Sequence, residues 1–193
     1  TGEVLAADGR SQNPDLSGNG RYVVFESDTS NWAANGSTAT TDIFLKDRQD
    51  GSLTRISTSL TGGDGNGDSR FARVSADGRF VVFESAASNL TGNDNNGYTD
   101  VFIWDRNSGG LINLSSLDPA GTGNPNNPSN LPDVAYDNGW GGAVVFQTAK
   151  ALVAADTFNG IDIYAFSLFD RTFQLVSSRA DGSGVQISSE DAS

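Results

Sequence analysis

One loop of the 193-residue chain carries oxygen-bearing side chains at a spacing suited to binding calcium. The segment DNNGYTD, residues 94–100, places Asp94, Asn96 and Asp100 around a glycine turn. Calcium takes about six to eight oxygen ligands, and carboxylates at alternating positions beside a turn can converge to supply some of them. The sequence therefore predicts a calcium site here. The alternative is that these side chains form Asx turns and cap a strand.

Two other loops resemble this pattern less closely. Asp156, Asn159 and Asp162 repeat it further along the chain, with fewer oxygen-bearing side chains between them. The segment GGDGNGD, residues 62–68, has acidic and amide side chains at the spacing of a calcium loop, but it lacks the closing glutamate and the flanking helices of an EF-hand. Calcium is therefore the one cofactor that the sequence suggests.

The composition excludes most types of catalytic site. The chain has no histidine, cysteine or methionine, so Ser-His-Asp and Cys-His nucleophilic sites and zinc sites built on thiolate or imidazole are excluded. Paired carboxylates, as in glycosidases, remain chemically possible. The internal glutamates Glu26 and Glu84, however, occupy equivalent places in a repeat, which is typical of a structural role. We expect no catalytic activity.

Two tryptophans are candidates for ligand contact. Trp32 and Trp140 lie in segments predicted to be loops or turns, where an indole can stack on a sugar ring. Trp104 lies in the middle of a predicted strand, which favours packing between sheets. The repeated Asp-Arg pairs at residues 47–48 and 105–106 are interpreted as structural contacts, because adjacent strand residues point to opposite faces.

The charge of the chain limits its partners. Twenty-four acidic and 12 basic side chains give a net charge of -12 and a pI near 4.1, which argues against binding nucleic acid or an anionic membrane. No apolar stretch approaches the ~20 residues of a membrane span. The chain begins with Thr1 and is rich in Asn and Gly, so we expect a processed product or fragment that acts outside the cytoplasm, in an extracellular or periplasmic location.

Three repeats organise the chain. The segment RYVVFES, residues 21–27, returns as RFVVFES at residues 79–85 and more loosely as AVVFQT at residues 143–148. Two further segments recur in the same order. TDIFLKDR returns as TDVFIWDR, and LTRISTS returns as LINLSS. The offset between the first and second copies is 58 residues. Repeats of this length predict the architecture before local propensity does.

Each recurring segment is predicted to be a strand. The segments are short, rich in Val, Ile, Phe and Tyr, and bounded by Gly, Asn, Asp or Ser. Asn19-Gly20 and Asp77-Gly78 are strong signals for hairpins. About four antiparallel strands in each repeat favour an all-β protein built from propeller-type blades, which bury their faces against neighbouring blades. A β-solenoid is the alternative, although its rungs are normally shorter.

The segments SADGRFVVFES (residues 75–85) and SNLTGNDNNGYTDVFIWDR (residues 88–106), with the weaker copies in the other repeats, resemble the TolB-like, or PD40, β-propeller repeats of many secreted and periplasmic bacterial proteins. This resemblance, which covers nearly the whole chain, implies a propeller fold. It does not specify a function, because such propellers serve as scaffolds, binding modules and enzyme appendages.

The repeats predict four divisions of the chain. These are a first blade with a preceding strand (residues 1–60), a second blade (61–118), a third blade (119–180) and the start of a further repeat (181–193). Three repeats are too few to close a propeller, which typically needs about 4–8 blades.

We therefore expect protein partners, either copies of the chain arranged head to tail or the remainder of a longer chain. The predicted function is that of a non-catalytic secreted module in an extracellular assembly or filament. The alternatives are a propeller that binds glycan or peptide and a non-catalytic appendage of a larger secreted hydrolase.

Overall fold

A computed structural model of the chain describes residues 7–32, 40–92, 94, 96–117, 128–137, 141–157 and 160–177. Across these residues twelve β-strands form three four-stranded antiparallel sheets, and no helix is found among them. The predicted all-β architecture, with four antiparallel strands in each repeat, is confirmed. No helix in the described part of the chain is long and apolar enough to cross a membrane.

The strands of each sheet follow one another from edge to edge in sequence order. The first sheet contains β1 (Ser11–Leu16), β2 (Tyr22–Ser27), β3 (Asp42–Asp47) and β4 (Leu53–Arg55). The second sheet contains β5 (Ser69–Val74), β6 (Phe80–Ser85), β7 (Asp100–Asp105) and β8 (Gly110–Asn113). The third sheet contains β9 (Ser129–Asp137), β10 (Gly141–Thr148), β11 (Asp162–Ser167) and β12 (Phe173–Leu175).

The three sheets share one register, so the repeats are equivalent in structure as predicted. In each sheet a phenylalanine of the second strand lies opposite an aromatic residue of the third strand: Phe25 opposite Phe44, Phe83 opposite Phe102, and Phe146 opposite Tyr164. Positions in one sheet can therefore be compared directly with the corresponding positions in the other two.

The sheets stack face to face and enclose two apolar cores. One core joins the first and second sheets through residues such as Val24, Ile43 and Phe83. The other joins the second and third sheets through residues such as Val82 and Phe146. The second sheet is therefore covered on both faces, which explains its continuous apolar run.

The two terminal sheets have only one face against another described sheet. Phe25 is only half-buried, whereas the equivalent Phe83 and Phe146 are 0% and 2% exposed. The valine before the aligned phenylalanine also differs between the sheets: Val24 and Val82 are 0% exposed, whereas Val145 is 37% exposed. Val145 points away from the second sheet, because alternate residues of a strand face opposite sides.

The predicted hairpins join the first two strands of the first and second sheets. In each hairpin a serine hydroxyl accepts a hydrogen bond from the backbone N–H of the first residue of the second strand. Ser17 accepts from Tyr22 at 3.0 Å, and Ser75 accepts from Phe80 at 2.9 Å. Gly20 and Gly78 adopt φ values of 70° and 73°, which favour glycine. The corresponding hairpin of the third sheet has longer strands, Ser129–Asp137 and Gly141–Thr148, and residues 138–140 between them lie outside the described residues.

Gly78→Ala is expected to lower the free energy of unfolding by about 1–3 kcal/mol more than Gly20→Ala. A Cβ at Gly78 would overlap the ring of Tyr22 on the neighbouring sheet, whereas a Cβ at Gly20 would lie 3.8 Å from its nearest neighbour. Both glycines have positive φ, so the backbone strain cancels in the comparison and the ring contact remains. Urea denaturation of both variants measures the difference. Equal losses would contradict the tight contact with Tyr22.

Candidate functional site

Neighbouring sheets are joined by a repeated contact between a side chain and a backbone N–H. Glu26, in β2, accepts the N–H of Phe71, in β5, at 2.7 Å. Glu84, in β6, accepts the N–H of Leu131, in β9, at 3.2 Å. Phe71 and Leu131 lie in β-bulges and adopt φ values of 55° and 51°. A bulge interrupts the ladder within its own sheet, so the freed N–H can bond to the adjacent sheet.

Backbone and aromatic contacts reinforce both interfaces. The N–H of Ser69 donates to the carbonyl of Thr41, and the N–H of Ser129 donates to the carbonyl of Thr99, each at 2.8 Å. The guanidinium of Arg106 lies 4.6 Å from the ring centroid of Tyr22, across the first interface. The same structural elements thus join the first sheet to the second and the second to the third.

The Asp-Arg pairs have the structural role predicted for them. Asp47 is paired with Arg21 of the same sheet at 2.7 Å, and this guanidinium lowers the pKa of Asp47 to about 2. Arg106, next to Asp105, instead reaches the neighbouring sheet. The aspartate of each pair therefore binds an arginine of its own sheet. The arginine of each pair also donates to the carbonyl of a hairpin glycine in the same sheet, Gly20 for Arg48 and Gly78 for Arg106.

The outer face of the first sheet is aromatic. Trp32 packs edge-on against Phe25 and Phe44, with ring centroids 6.0 and 5.6 Å apart. Trp32 and Phe25 are half-buried. Asn13, in the bulge of β1, has a φ of 49° and occupies the position equivalent to Phe71 and Leu131. The first sheet therefore presents, on its outer face, the bulge that receives a carboxylate in the other two sheets.

The outer face of the third sheet is aliphatic and polar. Val145 and Ile163 are 37% and 47% exposed on this face. Gln147 lies at the position of Glu26 and Glu84, because it follows the aligned phenylalanine directly. The third sheet therefore presents an oxygen acceptor where the other two sheets place the carboxylate that binds the next bulge.

Of the two tryptophans predicted to contact a ligand, only Trp32 is among the described residues. It packs against Phe25 and Phe44 in the aromatic face of the first sheet. Trp140 lies outside the described residues. Trp104, expected to pack between sheets, lies against the core formed by the first and second sheets.

The loop predicted to bind calcium brings two buried carboxylates together. Asp94 is 8% exposed and Asp100 is 1% exposed. Burial, and then the charge of Asp100, raise the pKa of Asp94 above its usual range. Asn96 donates from its amide to Asp100 at 3.2 Å, and its own oxygen accepts the N–H of Tyr98. Asn96 is thus placed to orient Asp100.

The weaker loop of the third repeat is arranged differently. Asp156 accepts a hydrogen bond from the hydroxyl of Tyr164, and Asp162 accepts one from the hydroxyl of Ser177 at 2.6 Å. Asn159 lies outside the described residues. Both aspartates therefore have a hydroxyl partner of their own.

The acidic residues of the loop at residues 62–68 form ion pairs with arginines. Asp64 is paired with Arg55, and Asp68 with Arg70 at 2.7 Å. In the part of the chain that the structure describes, no group of three or more carboxylates converges as a metal-binding cluster.

A groove of about 520 Å³ lies between the outer parts of the second and third sheets. Its described walls combine apolar rings with two arginines: Phe80, Phe166, Phe173, Arg79 and Arg171. Arg79 is paired with Asp105 at 3.0 Å, so its charge is already compensated.

Three residues important to these contacts carry no recognisable motif. Arg55 compensates a buried aspartate in the first sheet, Asn113 occupies the equivalent position in the second, and Gln147 lies at the outer face of the third. Alignment of the repeats by register is the signal that identifies them, because each differs in charge from at least one counterpart in another sheet.

A comparison with protein-family models gave no match, and a comparison with the curated proteins also gave none. Among solved structures, the chain is similar to TolB from Acinetobacter baumannii, with 15% identity and a TM-score of 0.49 over 92% of this chain and 34% of that chain. The values for the putative TolB from Agrobacterium tumefaciens are 16% and 0.47, over 89% of this chain and 49% of that chain.

The chain is also similar to the tricorn protease, with 14% identity and a TM-score of 0.47 over 82% of this chain and 14% of that chain. It therefore spans less than half the length of each of these three proteins. The assignment of blade-like sheets rests on the strand order, register and stacking described above.

Proposed function

We propose that this chain is a non-catalytic structural module that associates head to tail with a second copy of itself. The observation that carries the proposal is the complementarity of the two outer faces. Each outer face holds one half of the contact that joins the sheets internally: the bulge of Asn13 on the first sheet and the acceptor Gln147 on the third.

The expected contact between copies follows the internal interfaces. The side-chain oxygen of Gln147 accepts the N–H of Asn13 of the second copy, as Glu26 accepts that of Phe71. Val145 and Ile163 pack against the aromatic face that contains Phe25, as Val82 and its neighbours pack against Phe146 inside the chain. The free energy comes mainly from removing these apolar side chains from water.

The number of sheets in each chain favours a ring of two chains. One chain supplies three sheets, whereas closed propellers typically have about 4–8 blades. Two copies supply six sheets, which lies within this range, and three copies would exceed it. A head-to-tail contact at an angle that does not close would instead continue into a filament.

A non-catalytic role is supported by the use of the glutamates. The side chain of Glu26 is 0% exposed and also accepts hydrogen bonds from Gln12 and Asn13. Glu84 makes the equivalent contact with Leu131. Carboxylates engaged in the joints between sheets are not available as a general acid or nucleophile.

We also propose that the repeats are of the PD40 type and that the module acts outside the cytoplasm. The support is the recurrence of the SADGRFVVFES and TDVFIWDR segments, together with the acidic, Asn-rich composition without cysteine. Detection of the chain in the secreted or periplasmic fraction of its source cells tests the location. Recovery only from the cytoplasm would contradict it.

Light scattering after size exclusion tests the association. We expect a particle of about 40 kDa, twice the 20.2 kDa of one chain, in 0.15 M salt, which screens the net charge of -12 on each copy. Ile163→Glu is expected to reduce it to a single chain by placing a charge in the apolar contact. Leu60→Glu is the matched control, since Leu60 is 68% exposed at the connection between the first two sheets.

A particle of 20.2 kDa at all concentrations would contradict self-association. It would favour the alternative in which another part of a longer chain, such as a secreted hydrolase, supplies the covering blades. Large particles that grow with concentration would support the head-to-tail contact but contradict the ring. Dissociation by Leu60→Glu as well would contradict the assignment of the contact to the outer faces.

A further inference from the structure

The three sheets contain the same buried aspartate, but they compensate it differently. Asp42, Asp100 and Asp162 each begin the third strand of their sheet and are at most 4% exposed. In every sheet, a serine after the fourth strand receives the N–H of the residue that follows the aspartate: Ser57, Ser115 and Ser177. The carboxylate is therefore part of the repeated framework.

The first and third sheets each supply a donor to an acidic residue at or shortly before the start of the third strand. In the first sheet the guanidinium of Arg55 lies 3.5 Å from Asp42. In the third sheet the hydroxyl of Tyr164 donates to Asp156, the second acidic residue of that loop. Arg55 in the first sheet and Tyr164 in the third sheet thus each compensate one acidic residue.

The second sheet has neither of these donors. By register, Asn113 replaces Arg55 and Phe102 replaces Tyr164. Asp94, which is equivalent to Asp156, is more than nine-tenths buried, and neither of its carboxylate oxygens receives a hydrogen bond in the structure. Of the ion pairs among the described residues, none includes Asp94 or Asp100.

We propose that Asp94 and Asp100 together bind one Ca²⁺ ion, which takes the place of the missing donors. Two carboxylates buried in contact repel one another and are costly without a counter-charge. A hard divalent cation prefers carboxylate oxygens and completes its coordination with neutral oxygens and water. Asn96 and Asn113 hold Asp100 by their amides, at 3.2 and 3.1 Å, and so fix the orientation of one ligand.

Thermal unfolding of the full chain in Ca²⁺ and in EGTA tests the site. At Ca²⁺ about 100-fold above Kd, we expect Tm to rise by about 5–10 °C relative to EGTA. Asp94→Asn is expected to abolish this difference, while leaving Tm in EGTA equal to or above that of the parent chain, because one of two repelling charges is gone. Asp156→Asn removes the same charge from the third sheet and should leave the difference intact.

A second variant restores the missing donor without removing a ligand. Phe102→Tyr places a hydroxyl where Tyr164 donates to Asp156, so Tm in EGTA should rise and the gain in Tm from Ca²⁺ should shrink.

Isothermal titration with Ca²⁺ provides a readout independent of stability. We expect one bound ion per chain for the parent and for Asp156→Asn, and none for Asp94→Asn. A parent chain that binds no Ca²⁺ and whose Tm is unchanged by EGTA would overturn the proposal. Equal calcium dependence of Asp94→Asn and the parent would do so as well.

Discussion

Replacing Phe83 with alanine is expected to lower the free energy of unfolding by about 3–5 kcal/mol, the range for removing a fully buried phenylalanine. Phe83 is 0% exposed and stacks on Phe102 with ring centroids 5.6 Å apart. It lies in the core between the first and second sheets, where two stacked sheets enclose the space that truncation would leave. Urea denaturation followed by tryptophan fluorescence measures the loss.

Phe25→Ala is the matched control, because Phe25 occupies the same register position in the first sheet. Its ring is half-buried on the outer face, so its truncation removes less apolar contact. We expect a clearly smaller loss when both substitutions are made in the single-chain Ile163→Glu background. Equal losses in that background would mean that the outer face is as well covered as the internal core.

The second large effect is expected for Arg55→Met, which removes the cation from a buried set of charges. The Arg55 side chain is 8% exposed, and it is paired with Asp42 and Asp64, whose side chains are 5% and 16% exposed. Removing one partner of a buried ion pair leaves the other charge uncompensated, at a cost of about 3–5 kcal/mol. Methionine keeps much of the side-chain volume, so the loss measured by urea denaturation reports mainly on charge.

The control and the pH dependence identify the cause of this effect. Arg70→Met breaks an ion pair with Asp68 whose side chains are 43% and 41% exposed, and it should cost at most about 1 kcal/mol. Burial raises the pKa of Asp42. A carboxyl with a raised pKa in the folded state favours folding more as the pH falls, so the loss in Arg55→Met should shrink on acidification. A loss independent of pH would point to packing and not to charge.

The fold could be predicted from the sequence because the same ordered set of strand segments occurs three times. Recurring apolar segments bounded by turn residues identify the strands, and the aligned positions of Phe25, Phe83 and Phe146 fix the register that the structure contains. The hairpin glycines Gly20 and Gly78 were identifiable for the same reason, since positive φ restricts the choice of residue.

The exposure of side chains on the outer faces of the first and third sheets could not be predicted in this way. Val24, Val82 and Val145 are equivalent in sequence, yet the first two are 0% exposed and Val145 is 37% exposed. The difference depends on whether a neighbouring sheet is present, which a local pattern does not encode. Trp32 illustrates the same limit, because its place in an aromatic cluster with Phe25 and Phe44 depends on residues distant in sequence.

The acidic loop was recognisable by residue type, but its chemistry depends on what surrounds it. Spacing alone does not separate Asp94 from Asp156, whose loops are similar in sequence. Only the register places Tyr164 beside one and Phe102 in the equivalent position of the other. Electrostatic compensation is a property of three-dimensional neighbours, and it therefore becomes visible only once strands are paired.

The joint between Glu26 and Phe71 has a consequence for how such chains grow in evolution. Each repeat encodes a bulge in its first strand and an acceptor side chain in its second strand, as Leu131 and Glu84 illustrate. Both halves of a joint are thus carried by one stretch of about sixty codons. Tandem duplication of that stretch supplies a new acceptor and a new bulge together, so a blade can be gained or lost by recombination without a compensating change in its neighbours.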